Sequence, residues 1–571
     1  MKWQTGAARI VEALQQSGVR CVFGLPGTQT LELFEALRVS GLRTVVATNE
    51  LSAAFMAGGW ARVTGDPGIL LTISGPGFTW ALTGLAEARL DSVPLVHIVG
   101  SPAKDSSLRS FRQQDLPQEA IAAPIVKGII DADSYDDPGQ AAFDALLLAR
   151  SGEPGPVLLQ ISSTTLGRRM GAPPLAPPPP PSADGEGVAA IAARLQRTRR
   201  PILVVGQGTN RHAEKLRALV ERLRVPVVTT PSARGVLPEN HSLNFGFDPF
   251  AGSVDDLNEF LQSSDLVLAI GCKLSHSDTS GFDLHLPEDR LVHFDASAEV
   301  IEANYPASLG VVGDSGELFD RLLKLPLGPA AWTERELEDW RLRLGPAPAD
   351  VIEPHIDGTQ EGDAGSFFMA LRHALPSDAM LVLDSGLHQI LARRHFSVRS
   401  VSGMIMPTDL QSMGFAIPTA IGARLAMPQR PVVVVLGDGG FAMTGLELLS
   451  AVREGLSLVV IVFNDGAFGQ IRTQQLASYG ASHGVNLENP DFNLLAVSVG
   501  ARYESVGVSD DIEVAVRRAL ESSAVTVIEV GVRDAFPIRR IAVTARAREV
   551  TRRAAGPRVF GFLTRLFRRL R

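Results

Sequence analysis

A carboxylate set between glycines at the end of a buried apolar run can grip a divalent cation while the bare backbone beside it approaches an anion. Residues 437–440 have that form: Gly437-Asp438-Gly439-Gly440 follows the apolar run Pro431–Leu436, and Asn464-Asp465-Gly466 follows a second run, Leu458–Phe463. Alone, Gly-Asp-Gly is most often a turn. Asp465, however, stands 27 positions after Asp438, with room between them for a helix over Thr444–Arg453 and a buried strand. A crossover of that length returns both carboxylates to one sheet edge. Hard oxygen donors there suit Mg²⁺ or Ca²⁺ bridging a diphosphate, not a soft metal.

Three further residues have types that can do chemistry. Glu50 precedes the apolar stretch Leu51–Ala61 and, by itself, is a first-turn partner of a helix dipole. Met413, in Gln411-Ser412-Met413-Gly414-Phe415, reads alone as core packing. His388, in Ser385-Gly386-Leu387-His388-Gln389, is a proton carrier or a hydrogen-bonded structural ring.

The elements that must position these residues fall into three blocks. Short apolar runs such as Cys21–Phe23, Ile69–Ile73 and Leu95–Val99 alternate with helical stretches, as in a parallel sheet covered by helices. The consecutive prolines Pro177–Pro181 cannot enter a helix or a central strand and mark a semi-rigid linker. A second block carries runs Pro201–Val205, Val227–Thr230, Leu266–Ile270 and Leu291–Phe294, followed by a proline- and charge-rich connection with one helical piece near Trp332–Leu344. The third block has strands expected at Met380–Leu383, Val432–Leu436, Leu458–Phe463 and Val525–Val530. The fold class is therefore α/β, with three doubly wound parallel-sheet domains. The divisions are 1–167, linker 168–184, 185–325, linker 326–361, 362–540 and a tail 541–571.

Bulk properties exclude several function classes. With 571 residues, 45% apolar and 20% charged, the chain is too long for one core and ordinary for a globular protein. A net charge of −8 without long charged blocks carries no nucleic-acid signature. Two cysteines, Cys21 and Cys272, both in apolar segments, point to a reducing compartment, the cytoplasm by default, and not to a disulfide framework. The N-terminus reads as an amphipathic helix, not a signal peptide, and no run approaches the roughly 20 apolar residues of a bilayer span. The tail differs: residues 541–571 hold nine Arg and one Glu, with Val559, Leu563, Leu566 and Leu570 at helical spacing. Such a segment can make peripheral contact with an anionic membrane, or pack on the protein.

Gly437-Asp438-Gly439 followed by Asn464-Asp465 resembles the thiamine-diphosphate motif, and residues 5–535 resemble the acetolactate synthase-like branch of thiamine-diphosphate enzymes in its three-block order. The resemblance implies a pyrimidine-binding N-terminal domain, a central domain and a diphosphate-binding C-terminal domain. It implies Mg²⁺ bound by Asp438, Asp465 and the backbone carbonyl of Ala467, with Asp465 standing where many relatives have Asn. It places Gly437, Gly439, Gly440, Phe468 and Gly469 around the diphosphate, and Ser385, Gly386 and His388 along the diphosphate and the pyrimidine edge. Met413 matches the bulky residue that props the coenzyme into a bent shape. Glu50 matches the catalytic glutamate, which meets the pyrimidine ring from the neighbouring subunit, so a homodimer or homotetramer is implied. Gly27, in Phe23-Gly24-Leu25-Pro26-Gly27-Thr28-Gln29, and Ser74-Gly75-Pro76-Gly77 resemble loops on the substrate side. Gly206-Gln207-Gly208 is half of a dinucleotide turn; in relatives this block binds FAD, binds a nucleotide such as ADP, or is empty.

Two departures bear on the substrate. Acetolactate synthases carry a Trp shortly beyond the second metal-binding residue, whereas Phe468-Gly469-Gln470-Ile471-Arg472-Thr473-Gln474-Gln475 has none, and their Phe-Gln-Glu loop becomes Phe111-Arg112-Gln113-Gln114-Asp115. Arg112 and Arg472 could each meet a substrate carboxylate or be ordinary cations. The implied activity is decarboxylation of a 2-oxo acid with carboligation. Its alternatives are simple decarboxylation, a flavin-containing pyruvate oxidase and a catalytically silent partner subunit.

Overall fold

The computed structural model describes residues 3–103, 112–171, 174–175, 185–246, 248, 254–344, 361–507 and 511–532. Pro177–Pro181, Phe111 and the basic tail lie outside them.

The inner strands form where the sequence is apolar nearly throughout, because both sheet faces are covered by helices, while edge strands such as Arg502–Gly507 are more polar. Numbered by appearance within each domain, the strands of the N-terminal sheet are Cys21–Gly24, Arg43–Val46, Gly68–Ile73, Leu95–Ser101, Gly128–Asp131 and Pro156–Ser162, in spatial order 2-1-3-4-6-5. The C-terminal sheet, Met380–Leu383, Met404–Ile405, Val432–Gly437, Val459–Asn464, Arg502–Gly507 and Thr526–Gly531, has the same order. The middle sheet, Pro201–Val205, Val227–Thr229, Leu266–Ile270, Leu291–Asp295 and Leu309–Val312, runs 2-1-3-4-5. Pairing is parallel within all three sheets.

In sheets wound this way a crevice opens beyond the carboxyl ends of strands 1 and 3, where the order reverses. The three crevices are therefore edged by Leu25–Gly27 with Ser74–Gly75, by Gly206–Gly208 with Gly271, and by Asp384–Gly386 with Asp438–Gly440.

The outer domains are fused by two helices, Glu50–Thr64 and Ala416–Ala426. A Cβ on Gly59 would stand 2.1 Å from Thr419 O, and one on Gly422 would stand 1.9 Å from Met56 O. Only glycine permits that approach. These pairings make the helices antiparallel, and the surrounding side chains form one continuous core across both domains.

Some elements differ from the sequence-based expectation. The helix expected over Thr444–Arg453 begins instead at Asp438, runs to Thr444, passes through a 3₁₀ turn Gly445–Glu447 and resumes at Leu448–Arg453. Gly439 and Gly440 read locally as a turn, but their bare backbone lets the chain enter the helix directly from the strand beneath Asp384 and Phe468. A short strand, Trp3–Thr5, precedes the first helix, Gly6–Gln16, and pairs antiparallel with Arg169–Gly171. The helix Glu334–Leu344 packs on the middle domain through Leu337 and Leu344, while Trp332 Nε1 donates to Pro201 O at 3.0 Å.

Candidate active site

The expected site residues fall into two groups. The first gathers at the C-terminal switch point. Strands Val432–Gly437 and Val459–Asn464 are neighbours with Gly437 beside Phe463, so Asp438 and Asp465 emerge together. Asp438 Oδ1 accepts from Gly439 N at 2.9 Å, and Oδ2 accepts from Gly466 N at 2.9 Å and from Asn489 Nδ2 at 2.7 Å. Asp465 Oδ1 accepts from Ala467 N at 3.2 Å, and Oδ2 meets Arg472 Nη2 at 3.0 Å. Burial, and then the nearness of Asp438, push the Asp465 carboxyl above its ordinary range. Two carboxylates held this close favour a cation between them.

No group of three or more His, Cys, Asp or Glu able to hold a metal occurs among the described residues. A divalent ion here would therefore complete its shell with a carbonyl and with oxygens of the diphosphate, which fits hard-oxygen chemistry. Gly439 leaves the space: a Cβ there would meet Phe468 at 2.7 Å and Met413 Cε at 3.2 Å. Gly469 is similarly confined, with Asp465 Oδ2 at 2.3 Å from the position of a Cβ.

The loop bearing Met413 is fixed from both sides by buried carboxylates. Glu87 accepts from Ser412 N at 3.1 Å, and Asp384 accepts from Gly414 N at 2.9 Å and Phe415 N at 3.2 Å. Asp384 also accepts from Ser385 N at 2.9 Å, so one side chain ties the Met413 loop to the Ser385–Gly386 loop. Burial pushes Asp384 up to about 7. His388 is buried and donates from Nε2 to Asp384 O at 2.9 Å, leaving Nδ1 toward Gly437. Burial lowers its pKa to about 4, so the ring is neutral near pH 7.

The second group lies in the N-terminal domain. Asn49 caps the helix that Glu50 opens, accepting from Ser52 N at 2.8 Å. Glu50 Oε1 stands 3.0 Å from where a Cβ of Gly77 would be, and Ile73 lies between Gly77 and Gly27. Thr48, just ahead, donates to the fully buried Glu447.

The groups are not joined within one chain. Gly77 and Glu87 lie on one helix, Pro76–Leu90, ten residues or about 15 Å apart, with Glu50 at the first end and the Met413 loop at the second. The interval is filled by the tight crossing of Glu50–Thr64 and Ala416–Ala426.

Arg112 is occupied by Asp115, at 3.0 and 2.7 Å, and by Ala103 O, and Arg472 by Asp465. Asp384, Glu87, Glu447 and Asn489 were not anticipated. The first three carry a signal, a lone carboxylate closing an apolar strand or sitting inside an apolar helical stretch; Asn489, in Glu488-Asn489-Pro490, carries none.

The middle switch point opens on a cavity of about 230 Å³ between all three domains, lined among others by Gly208, Gly271, Lys273, Asp278 and Asp295. Burial raises Asp278 and Asp295 to about 6 each, and Lys273 is engaged by Glu153 at 2.6 Å. Among the described residues no helix is long and apolar enough to cross a membrane.

Three segments of the chain match models of known protein families. Residues 4–121 match the N-terminal thiamine pyrophosphate binding domain of the thiamine pyrophosphate enzymes, 188–322 their central domain and 384–530 their C-terminal thiamine pyrophosphate binding domain. The chain is 33% identical to a probable 2-ketoarginine decarboxylase, AruI, of Pseudomonas aeruginosa, over 92% of this chain and 94% of that protein. It is 31% identical to the acetolactate synthase large subunit of Parasynechococcus marenigrum, over 93% and 88%. It is 28% identical to the acetolactate synthase isozyme 3 large subunit of Escherichia coli, over 91% and 93%.

Proposed function

The chain belongs to the thiamine pyrophosphate enzymes, in their acetolactate synthase-like branch, and from that premise we propose that it uses thiamine diphosphate with Mg²⁺ to decarboxylate a 2-oxo acid and passes the remaining unit to a second carbonyl compound. The observation that carries the reading is the clamp at one switch point, where Asp438 and Asp465 emerge side by side beneath the braced Met413 loop. When bound, the coenzyme supplies a centre that stabilises the carbanion left by CO₂ loss. Asp438, Asp465 and the Ala467 carbonyl would hold the ion and the diphosphate, with Ser385, Gly386 and the Gly437–Gly440 backbone around them. Met413 would brace the ring system, and apolar walls would exclude water. Glu50 would exchange a proton with the pyrimidine ring.

Because packed helices separate Glu50 from the clamp of its own chain, the working unit proposed is a homodimer, with a homotetramer as a pair of such dimers. The exposed Trp80, Met443 and Leu446 give that pairing apolar surface. Location in the cytoplasm accords with two free, buried cysteines.

A second reading, protonation of the remaining unit to give an aldehyde, is supported by the similarity to a probable 2-ketoarginine decarboxylase and by the lack of Trp in 468–475. Acetoin after acid treatment of a pyruvate reaction marks carboligation; aldehyde alone marks decarboxylation. An oxidase would need FAD in the middle cavity, and a purified protein without flavin absorbance removes that reading. A silent partner subunit would have no use for Glu50, Met413, Asp438 and Asp465 together.

The proposal is tested with Glu50→Gln. Turnover of 2-oxo acids should fall at least 100-fold, in the range of general acid–base catalysis, while calorimetry still registers Mg²⁺-dependent thiamine diphosphate binding. Unchanged turnover, or no such binding by the wild-type protein, would sink it.

A further inference from the structure

Beyond Ile73, the wall that continues from Glu50 carries two side-chain amides. Glu50 neighbours Gly77; two residues earlier, Gly75 faces Gln114, whose Cβ would be 2.9 Å from a Cβ at Gly75. Gln114 in turn accepts from Gln29 Nε2 at 2.5 Å. Gln114 holds this place at a cost, since its φ of +62° lies in the left-handed region that side chains other than glycine seldom occupy. The pairing fixes the Gln29 amide, and its Oε1 is buried with no hydrogen-bond partner. Ser74, fully buried beside Gly75, likewise has an unpartnered Oγ. A strained residue that orients an amide, beside a buried amide oxygen and a buried hydroxyl that both lack partners, marks a place where an incoming hydrogen-bond donor would be met.

We propose that Gln29, oriented by Gln114, reads the far end of the 2-oxo acid, and that the substrate class is 2-oxo acids whose side chain ends in an N–H or O–H donor. This rests on the decarboxylation reading above and names the substrate class of that same site. Gln29 Oε1 accepts from the donor, and an apolar chain of equal length leaves that acceptor buried and unpaired. A site built to meet a polar group rejects the analogue lacking it more sharply than a hydrocarbon pocket discriminates by size.

The test uses the full-length protein loaded with thiamine diphosphate and Mg²⁺, with CO₂ release measured on 5-guanidino-2-oxopentanoate and on 2-oxooctanoate. The guanidino substrate is expected to have at least tenfold higher kcat/KM. Gln29→Leu should reduce that ratio at least tenfold, chiefly through KM for the guanidino substrate. Gln29→Glu keeps the acceptor, adds charge and, with the Gln114 amide turned to donate to it, should preserve or raise it. Wild-type protein that binds thiamine diphosphate by calorimetry and yet handles both substrates equally overturns this proposal alone. So does a ratio unchanged in Gln29→Leu. Wild-type protein that binds no thiamine diphosphate overturns the parent reading and this one with it.

Discussion

Replacing Asp384 by Asn should separate coenzyme affinity from stability. Asp384 Oδ1 takes Ser385 N and Phe415 N, and Oδ2 takes Gly414 N. Asparagine can keep the first pair with its oxygen, but its NH₂ then faces the Gly414 N–H. One buried donor is orphaned, at about 1–3 kcal/mol, and the loss falls on the loop that holds Met413. If 2 kcal/mol of it appears in coenzyme binding, Kd rises about 30-fold. Stability moves the other way. Burial has pushed this carboxyl from an ordinary 3.8 to about 7, so keeping it ionised costs on the order of 4 kcal/mol above pH 7. A neutral Asn avoids that cost. At pH 8 the variant should show a Tm equal to or a few degrees above wild type and a thiamine diphosphate Kd raised roughly 30-fold, measured by calorimetry in saturating Mg²⁺. A Tm several degrees lower with Kd unchanged would refute the reasoning, for it would make Asp384 a purely structural support.

Gly422→Ala puts a Cβ 1.9 Å from Met56 O at the helix crossing, where backbone faces backbone and neither side can yield. Thermal unfolding should register a loss of about 3 kcal/mol or more. Arg472→Gln removes the cation that shares Asp465 with any bound metal; the Mg²⁺ concentration for half-maximal thiamine diphosphate binding should fall several-fold. Glu87, raised to about 7 by burial and by Asp91, and Asp384, raised to about 7 by burial, keep protons in the folded state that the unfolded chain has released above its ordinary 4.5 and 3.8. The native state binds more protons in that window, so stability from these groups falls as pH rises from about 4 to 7 and is level above. Tm measured from pH 5 to 8 should decline accordingly, and Glu87→Gln should flatten the decline.

What the sequence makes legible depends on whether a constraint is local. Gly-Asp-Gly after an apolar run declares itself because strand, bare backbone and carboxylate are adjacent in the chain, and the 27-residue interval to Asp465 is the length of one crossover. Glu50 is the opposite case. Its neighbours describe only a helix start, and its separation from the clamp follows from an antiparallel helix crossing set by Gly59 and Gly422, hundreds of residues apart in the chain. Single glycines in helices read as weak points in a sequence, yet here they are what let the two outer domains close upon each other. Asp384 and Glu87 were overlooked for a related reason: a carboxylate beside apolar residues looks like a surface edge until the fold brings three backbone donors to one and Ser412 to the other. The shared 2-1-3-4-6-5 order of the outer sheets adds the last step. Two domains wound alike each offer one crevice, and neither crevice alone holds both the clamp and the glutamate. On the proposed reading, the chemistry is complete only when a second copy of the chain brings its glutamate to the clamp.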